Sequence, residues 1–398
     1  MGLDELVALA DARLAEADAA LAREYPGAGS AWQPVHTVYV PADRFDAGTH
    51  RAYGDHALDL LDEHEDLLRE VTGADDAMLT LVRDKLARQP VEDLRVDFED
   101  GYGARADDEE DADAEACAAA LTTAGMHPDA PGRWGIRFKS LEAPTRRRGL
   151  RTLALMTELA HLDVVVLPKV TSVAQVETLI DVLDHLDRPG QRFEIQVETP
   201  QTILGPDGTA LVARMIGAAR GRCAGLHYGT YDYSAFLGIA AGDQSLEHPA
   251  ADHAKAVMQA AAAGTGVQLS DGSTNRLPVG DRLREGWELH HRLVTRALHR
   301  GFYQGWDLHP AQLPTRYAAT FRFFRAGAPE AVDRLASWAR QARPAEGDGA
   351  VADEPATARA LADYLLRGLD CGALTEDEVG LDRAELERLA KRNAEGSA

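Results

Sequence analysis

Residues 163–197 read DVVVLPKVTSVAQVETLIDVLDHLDRPGQRFEIQV. Two short aliphatic runs, DVVVL (163–167) and FEIQV (193–197), flank a stretch from Val173 to Leu186 with the length and composition of a helix. Strands joined through such a crossover pair in parallel, because an antiparallel return needs about two residues and a parallel one a dozen or more. The same unit recurs in both directions. Upstream lie VHTVYV (35–40), LRVDF (94–98) and WGIRF (134–138), and downstream CAGLHY (223–228), GVQLS (266–270) and GFYQGWDL (301–308). Eight strands alternating with helical stretches predict an α/β fold of the (β/α)8 TIM-barrel type, which typically takes about 250 residues. A doubly wound open sheet would carry a glycine fingerprint after its first strand, and VYVPADRFDAG has none.

The flanks read differently. Leu3, Leu6, Val7, Leu14 and Leu21 recur at helical spacing until Tyr25, Pro26 and Gly27, so residues 1–34 are expected to form an N-terminal helical segment ahead of a barrel domain spanning 35–342. RPAEGDGAVADEP (343–355) reads as a linker, and 356–398 as a C-terminal helical extension. The long gap from Pro41 to Asp93 is expected to hold two helices, and the acidic run ADDEEDADAE (106–115) a solvated helix face or first turn.

Acidic residues number 65 against 42 Lys and Arg, a net charge of −23. A surface so negative repels phosphate backbones, which argues against nonspecific nucleic-acid binding. Cys117, Cys223 and Cys371 lie far apart with no CxxC spacing, which suits reduced thiols better than a disulfide framework or a zinc site. No export signal or membrane-length apolar run is visible, so a soluble cytoplasmic protein is expected.

In such a barrel the C-terminal ends of the strands and the loops after them share one rim, where active sites are built. The strand ends carry Asp43 and Arg44; Asp97, Glu99 and Asp100; Arg137 and Lys139; Lys169; Glu198; Tyr228 and Asp232; Ser270 and Asp271; and His309. Carboxylates dominate, and there is no cysteine nucleophile or Ser, His, Asp set. Oxygen ligands without thiolates favour a hard cation, and Mg²⁺ takes one or two protein carboxylates and leaves its other positions to water and substrate. Glu198 and Asp232, from adjacent strands, are the expected pair. Alternation on WGIRF places Gly135, Arg137 and Lys139 on the face opposite Trp134, Ile136 and Phe138. His309, before a proline, reads more readily as a structural residue than as a base.

Six motifs in order carry a family resemblance. VYVPADR, VDFED, VVVLPKV, QVETP, YGTYDYSAFLG and GWDLHPAQL, spanning about Val35 to Pro314, resemble the HpcH/HpaI aldolase and citrate lyase β-subunit-like family, to which malyl-CoA lyase and malate synthase are related. The resemblance implies an Mg²⁺- or Mn²⁺-dependent carbon–carbon lyase, with a 2-oxo acid chelated to the metal and a 2-hydroxy acid or its coenzyme A thioester cleaved through an enolate. Glu198 and Asp232 would hold the metal. Arg137 would stabilise the oxyanion, with Glu99 and Asp100 orienting it or accepting from metal-bound water, and Arg44, Lys169 and Tyr228 would bind substrate. A malate synthase-like Claisen condensation of acetyl-CoA with glyoxylate, or a metal-binding barrel without chemistry, are the alternatives. A trimer or hexamer is implied too.

The pattern is broken at Thr171, where the family has Glu after PKV. No C-terminal motif aligns, so Asp370, Glu376 and Asp377 stand as candidates for a general base without an assignment. Arg146, Arg147 and Arg148 could meet coenzyme A phosphates or simply begin a solvated helix.

Overall fold

The computed structural model describes residues 2–27, 29, 32–127, 130–341 and 354–390. Eight strands follow in chain order: β1 (His36–Pro41), β2 (Asp93–Asp97), β3 (Arg133–Arg137), β4 (Val164–Leu167), β5 (Arg192–Val197), β6 (Cys223–Tyr228), β7 (Gln268–Ser270) and β8 (Gly305–Asp307). Each hydrogen-bonds in parallel to its sequence neighbour, and β8 pairs with β1. Between β7 and β8 a single bridge, Ser270 to Gln304, completes the circle. The expected (β/α)8 barrel is therefore present. Among the described residues no helix is long and apolar enough to cross a membrane.

Alternation along the strands decides what lies on each side of the wall. Leu94, Val96 and Phe98, Ile136 and Phe138, and Phe193, Ile195 and Val197 face outward and pack with the surrounding helices into one continuous core. The opposite parity points into the barrel, and here it is charged. Arg95 donates to Asp93 and, at 2.9 Å, to Glu194; Arg133 reaches Asp93 at 2.8 Å; His227 stands 3.1 Å from Glu194. Trp306 Nε1 donates to His227 Nδ1 at 2.8 Å, which fixes the imidazole with its proton on Nε2, toward Glu194. Burying these charges is tolerable because each has partners of opposite sign. Gly135 makes room for them: a Cβ there would lie 2.2 Å from the Val164 carbonyl and 3.1 Å from Arg95 Cδ.

A second core lies outside the barrel. It joins helices 49–63, 65–72 and 76–88, which follow β1, to helices 283–299 and 313–341 and to the C-terminal helices 355–370, 376–379 and 383–390. The gap after β1 thus holds three helices rather than two, because His64 leaves helical backbone (φ −128°, ψ 33°) and splits the expected first helix. The expected linker, 343–355, lies almost wholly outside the described residues. The acidic run begins helix 107–124 with four carboxylates in its first turn, where the helix dipole favours them. One of the four, Glu110, is not solvated: it is fully buried and takes Lys139 and Thr152. The N-terminal helix, 3–24, forms as expected but buries no residue. All three cysteines are free and buried.

Candidate functional site

Arg137, at the end of β3, turns its guanidinium into the mouth of the barrel. Nε and Nη2 each donate to Asp97 at 2.7 Å, a two-point grip that fixes the plane of the group. The rings of Tyr39 and Trp306 lie 5.0 and 5.9 Å away and form its floor. The remaining nitrogen, Nη1, stands 3.3 Å from Glu99 and 3.4 Å from Gln196 Oε1. Asp97 also accepts from the backbone N–H groups of Glu99 and Gly101, so the β2 loop is folded around the same carboxylate that orients the arginine.

Glu198 follows β5 and is buried; one oxygen accepts from the Lys169 backbone N–H at 2.6 Å and the other from Gln196 Nε2 at 2.6 Å. The next loop gives it space. A Cβ at Gly229 would fall 2.4 Å from Glu198 Cβ, so glycine is what lets the chain pass there into helix 230–236, which carries Asp232. Burial pushes the Glu198 carboxyl up to about 8, against the pull of Lys169. Burial also raises Asp232 and Glu99 above the ordinary carboxyl range.

Lys169 joins the acids together. Its ammonium bonds Glu99 and, at 2.7 Å, Asp100, and lies 3.6 Å from Asp232. Burial works against its charge, yet Glu198 and Glu99 outweigh burial and hold the ammonium well above its usual range. Burial likewise opposes ionisation of Asp100, but the hydrogen bond from Lys169 carries that carboxyl below its usual range.

Glu99, Asp100, Arg137, Lys169, Glu198 and Asp232 thus converge on one cluster. Arg44 lies apart from it on the exposed turn after β1 and has no ion pair among the described residues, while its neighbour Asp43 takes Arg105. Tyr228 does not join. Strand parity sends His227 inward and Tyr228 outward, where the phenol ring is buried against Tyr233 and 5.8 Å from the Lys255 ammonium.

The other strand-end residues have structural partners. Lys139 binds Glu110 and the Phe98 carbonyl outside the barrel, and Asp271 pairs with Lys255. His309 Nδ1 accepts from Ala311 N–H and caps the turn 310–312. Arg148 is held by Glu110 and Asp111, and Arg146 donates to the Leu141 carbonyl, which leaves Arg147 exposed. Asp370 pairs with Arg383 and lines a cavity of about 280 Å³ with Gln33, Val35 and Gln268. Those residues lead into β1 and β7, so Asp370 is at the opposite end of the barrel from the cluster. Glu376 and Asp377 are exposed on helix 376–379. Sequence reading missed Gln196, which fixes Glu198, and Tyr39 and Trp306, which floor Arg137; the inward parity of FEIQV carried the signal for Gln196.

The chain is similar to solved structures of known proteins. Protein CitE from Mycobacterium tuberculosis, in complex with magnesium, acetoacetate and coenzyme A, shares 20% identity at a TM-score of 0.52, with 86% of this chain and 99% of that chain covered. Haloferax volcanii malate synthase, native at 3 mM glyoxylate, shares 14% identity at a TM-score of 0.50, with 91% and 97% covered. Its magnesium and glyoxylate complex gives the same identity and TM-score over 91% and 98%. At such identities the likeness is one of fold. No curated protein matches the sequence. A family model matches residues 14–394, nearly the whole chain, and the protein belongs to that family, described as Domain of unknown function (DUF6986).

Proposed function

We propose that the protein is an Mg²⁺-dependent carbon–carbon lyase that cleaves a 2-hydroxy acid or its coenzyme A thioester through an enolate. One observation carries the reading: the buried carboxylate of Glu198 and the half-buried one of Asp232 share a barrel rim with an arginine whose plane is locked. The donor set fits a hard cation. Its atoms are oxygens, burial has raised both carboxyls, and among the described residues no group of three or more His, Cys, Asp or Glu is placed to hold a metal. Two protein carboxylates with water and substrate completing the shell is the arrangement Mg²⁺ favours, and Mn²⁺ would accept it too. When bound, the ion would supply Lewis-acid stabilisation of the oxygen on which charge develops.

The protein's own part follows from the geometry. Arg137 spends two of its nitrogens on Asp97 and keeps Nη1 for the mouth, so a fixed positive charge meets the growing oxyanion without reorganising. Glu99 limits the swing of Nη1, and Asp100 and Lys169 hold the loops after β2 and β4 together. Arg44 is the exposed cation suited to a substrate carboxylate or a thioester phosphate. Asp370, Glu376 and Asp377 do not enter the cluster within one chain, so an assembly in which another copy completes the rim, a trimer or hexamer, belongs to this reading.

The malate synthase-like direction, condensation of acetyl-CoA with glyoxylate, is the second reading, favoured by the likeness to the Haloferax volcanii enzyme. A screen of free 2-hydroxy acids and acyl-CoA esters with Mg²⁺ or Mn²⁺, read by mass spectrometry, tests the first. A glyoxylate and acetyl-CoA assay for released thiol tests the second. Turnover that vanishes with EDTA is expected in one of them, and silence in both overturns the enzyme reading.

A further inference from the structure

The helix 3–24 carries an apolar stripe that its own chain leaves uncovered. Val7, Leu14 and Leu21 recur every seven residues, and Leu3, Ala10 and Ala17 recur at the same interval, offset by four. These are the a and d positions of a heptad, which lie along one face of a helix. No residue of the helix is buried, and Leu3, Leu14 and Leu21 are 75, 51 and 60% exposed. Leu6 widens the stripe at its start, and Leu9 falls outside it. A helix in a folded protein draws most of its stability from packing its apolar face, and this one buries none of it among the described residues.

The edges of the stripe indicate what covers it. Asp4, Asp11 and Asp18 run down one edge at the same seven-residue interval, and Arg13 stands on the other. Neither Arg13 nor Asp18 has an ion pair among the described residues. In two parallel helices in register, a g residue meets the e residue five positions on in the other, which brings Arg13 of one copy to Asp18 of the second, twice per pair. Antiparallel packing would set the aspartate column against itself. A third strand would draw those aspartates toward the apolar centre and desolvate them.

We propose that helix 3–24 is a self-pairing arm, which joins two copies of this chain through a parallel two-stranded coil with Val7, Leu14 and Leu21 along its seam. The arm leaves the barrel at a fixed point. Gly27 N–H donates to the Gly264 carbonyl at 2.8 Å, just ahead of β7 and at the end of the barrel away from Arg137, so pairing leaves the mouth open. A particle joined this way holds an even number of chains, which of the trimer and hexamer considered above means the hexamer.

Cysteine cross-linking in the full-length protein tests the arm, because Cys117, Cys223 and Cys371 are all buried and an added thiol on the helix is exposed. Val7→Cys, Leu14→Cys and Leu21→Cys should each give a two-chain band on a non-reducing gel after mild oxidation, whereas Ala12→Cys, on the opposite side of the helix, should not. A parallel register requires linkage through all three seam positions, and linkage through fewer overturns it. Linkage of Ala12→Cys as readily as Leu14→Cys means chance collision and overturns the pairing, as does a chain that stays single in all four variants. Leu14 is not buried in its own chain, so Leu14→Asp should fold and should halve the particle mass read by light scattering. An unchanged mass overturns the arm as a joint between copies.

Discussion

Replacing Arg137 by lysine separates the structural task its side chain performs from the catalytic one proposed for it. The guanidinium spends Nε and Nη2 on Asp97, both at 2.7 Å, and holds Nη1 3.3 Å from Glu99 in the mouth of the barrel. A lysine has one nitrogen. It can keep the charge beside Asp97 but cannot grip both carboxylate oxygens in one plane and also present a donor at the Nη1 position. In the folded state the loss is about one charge-assisted hydrogen bond, 1.5–3 kcal/mol, since the buried acid keeps a cation. In the reaction the loss is the fixed donor, for which roughly 3 kcal/mol, or about a hundredfold in kcat, is the expected scale. Mg²⁺ affinity should change little, because Arg137 touches neither proposed ligand directly. Thermal unfolding, steady-state kinetics on the substrate found by screening and calorimetry with Mg²⁺ read the three quantities separately. A kcat loss under about fivefold, alongside the expected loss of stability, would return Arg137 to a purely structural role and refute the oxyanion argument.

Glu198→Gln and Asp232→Asn should each abolish Mg²⁺ binding in calorimetry while circular dichroism stays that of the wild type, since both sit on the rim; unchanged affinity in both discards the pair as ligands. The His291 imidazole is pushed down to about 4, by burial first and by Arg322 next. The unfolded chain therefore takes up a proton near pH 6.5 that the folded one refuses, and stability present above that pH is lost as pH falls toward 4, by roughly 2 kcal/mol between pH 7 and 5. Urea unfolding of His291→Gln should lack that component, and an acid branch as steep as the wild type's counts against it. Light scattering at micromolar concentration should find a trimer or hexamer; a particle of 43.0 kDa contradicts the proposed assembly.

The barrel was legible because each outward parity is apolar and each crossover is long enough for a helix. Strand ends were less so. GVQLS and GFYQGWDL shrink to Gln268–Ser270 and Gly305–Asp307, since positive φ at Gly266 and Gly301 bends the chain before each. The charged interior was present as Asp93, Arg95 and Asp97 in alternation, a pattern that in an open sheet would face water; only closure of the barrel turns it inward. Arg137 followed from the same parity, whereas Tyr228 shows its limit. A residue at the end of a run was expected on the rim, but one step in register separates the inward His227 from the outward Tyr228. Nothing in PKV announces that Lys169 has left-handed backbone (φ 51°) or that its partners are carboxylates from the loops after β2, β5 and β6, since those come from distant stretches of sequence.

The joint between β7 and β8 makes this barrel a rolled strip rather than a uniform cylinder. Every other neighbouring pair of strands matches at three or more positions, and this one at Ser270 and Gln304 alone. Two main-chain bonds just past the strand ends, Asp271 N–H to the Gln304 carbonyl at 2.8 Å and Trp306 N–H to the Gly272 carbonyl at 3.5 Å, continue the joint, and side-chain amides add to them: Gln33 donates to Gln304 and to the Leu269 carbonyl, and Gln304 donates to Thr37. A wall closed by so few main-chain bonds unzips locally before it unfolds globally, so amide hydrogens of β7 and β8 should exchange ahead of those in β2 to β6. Trp306 hangs on that same strip, beneath Arg137. The thinly joined seam thus lies directly under Arg137, the cation whose angle the proposed chemistry needs fixed, and a cross-link there would stiffen that end of the barrel without touching the arginine.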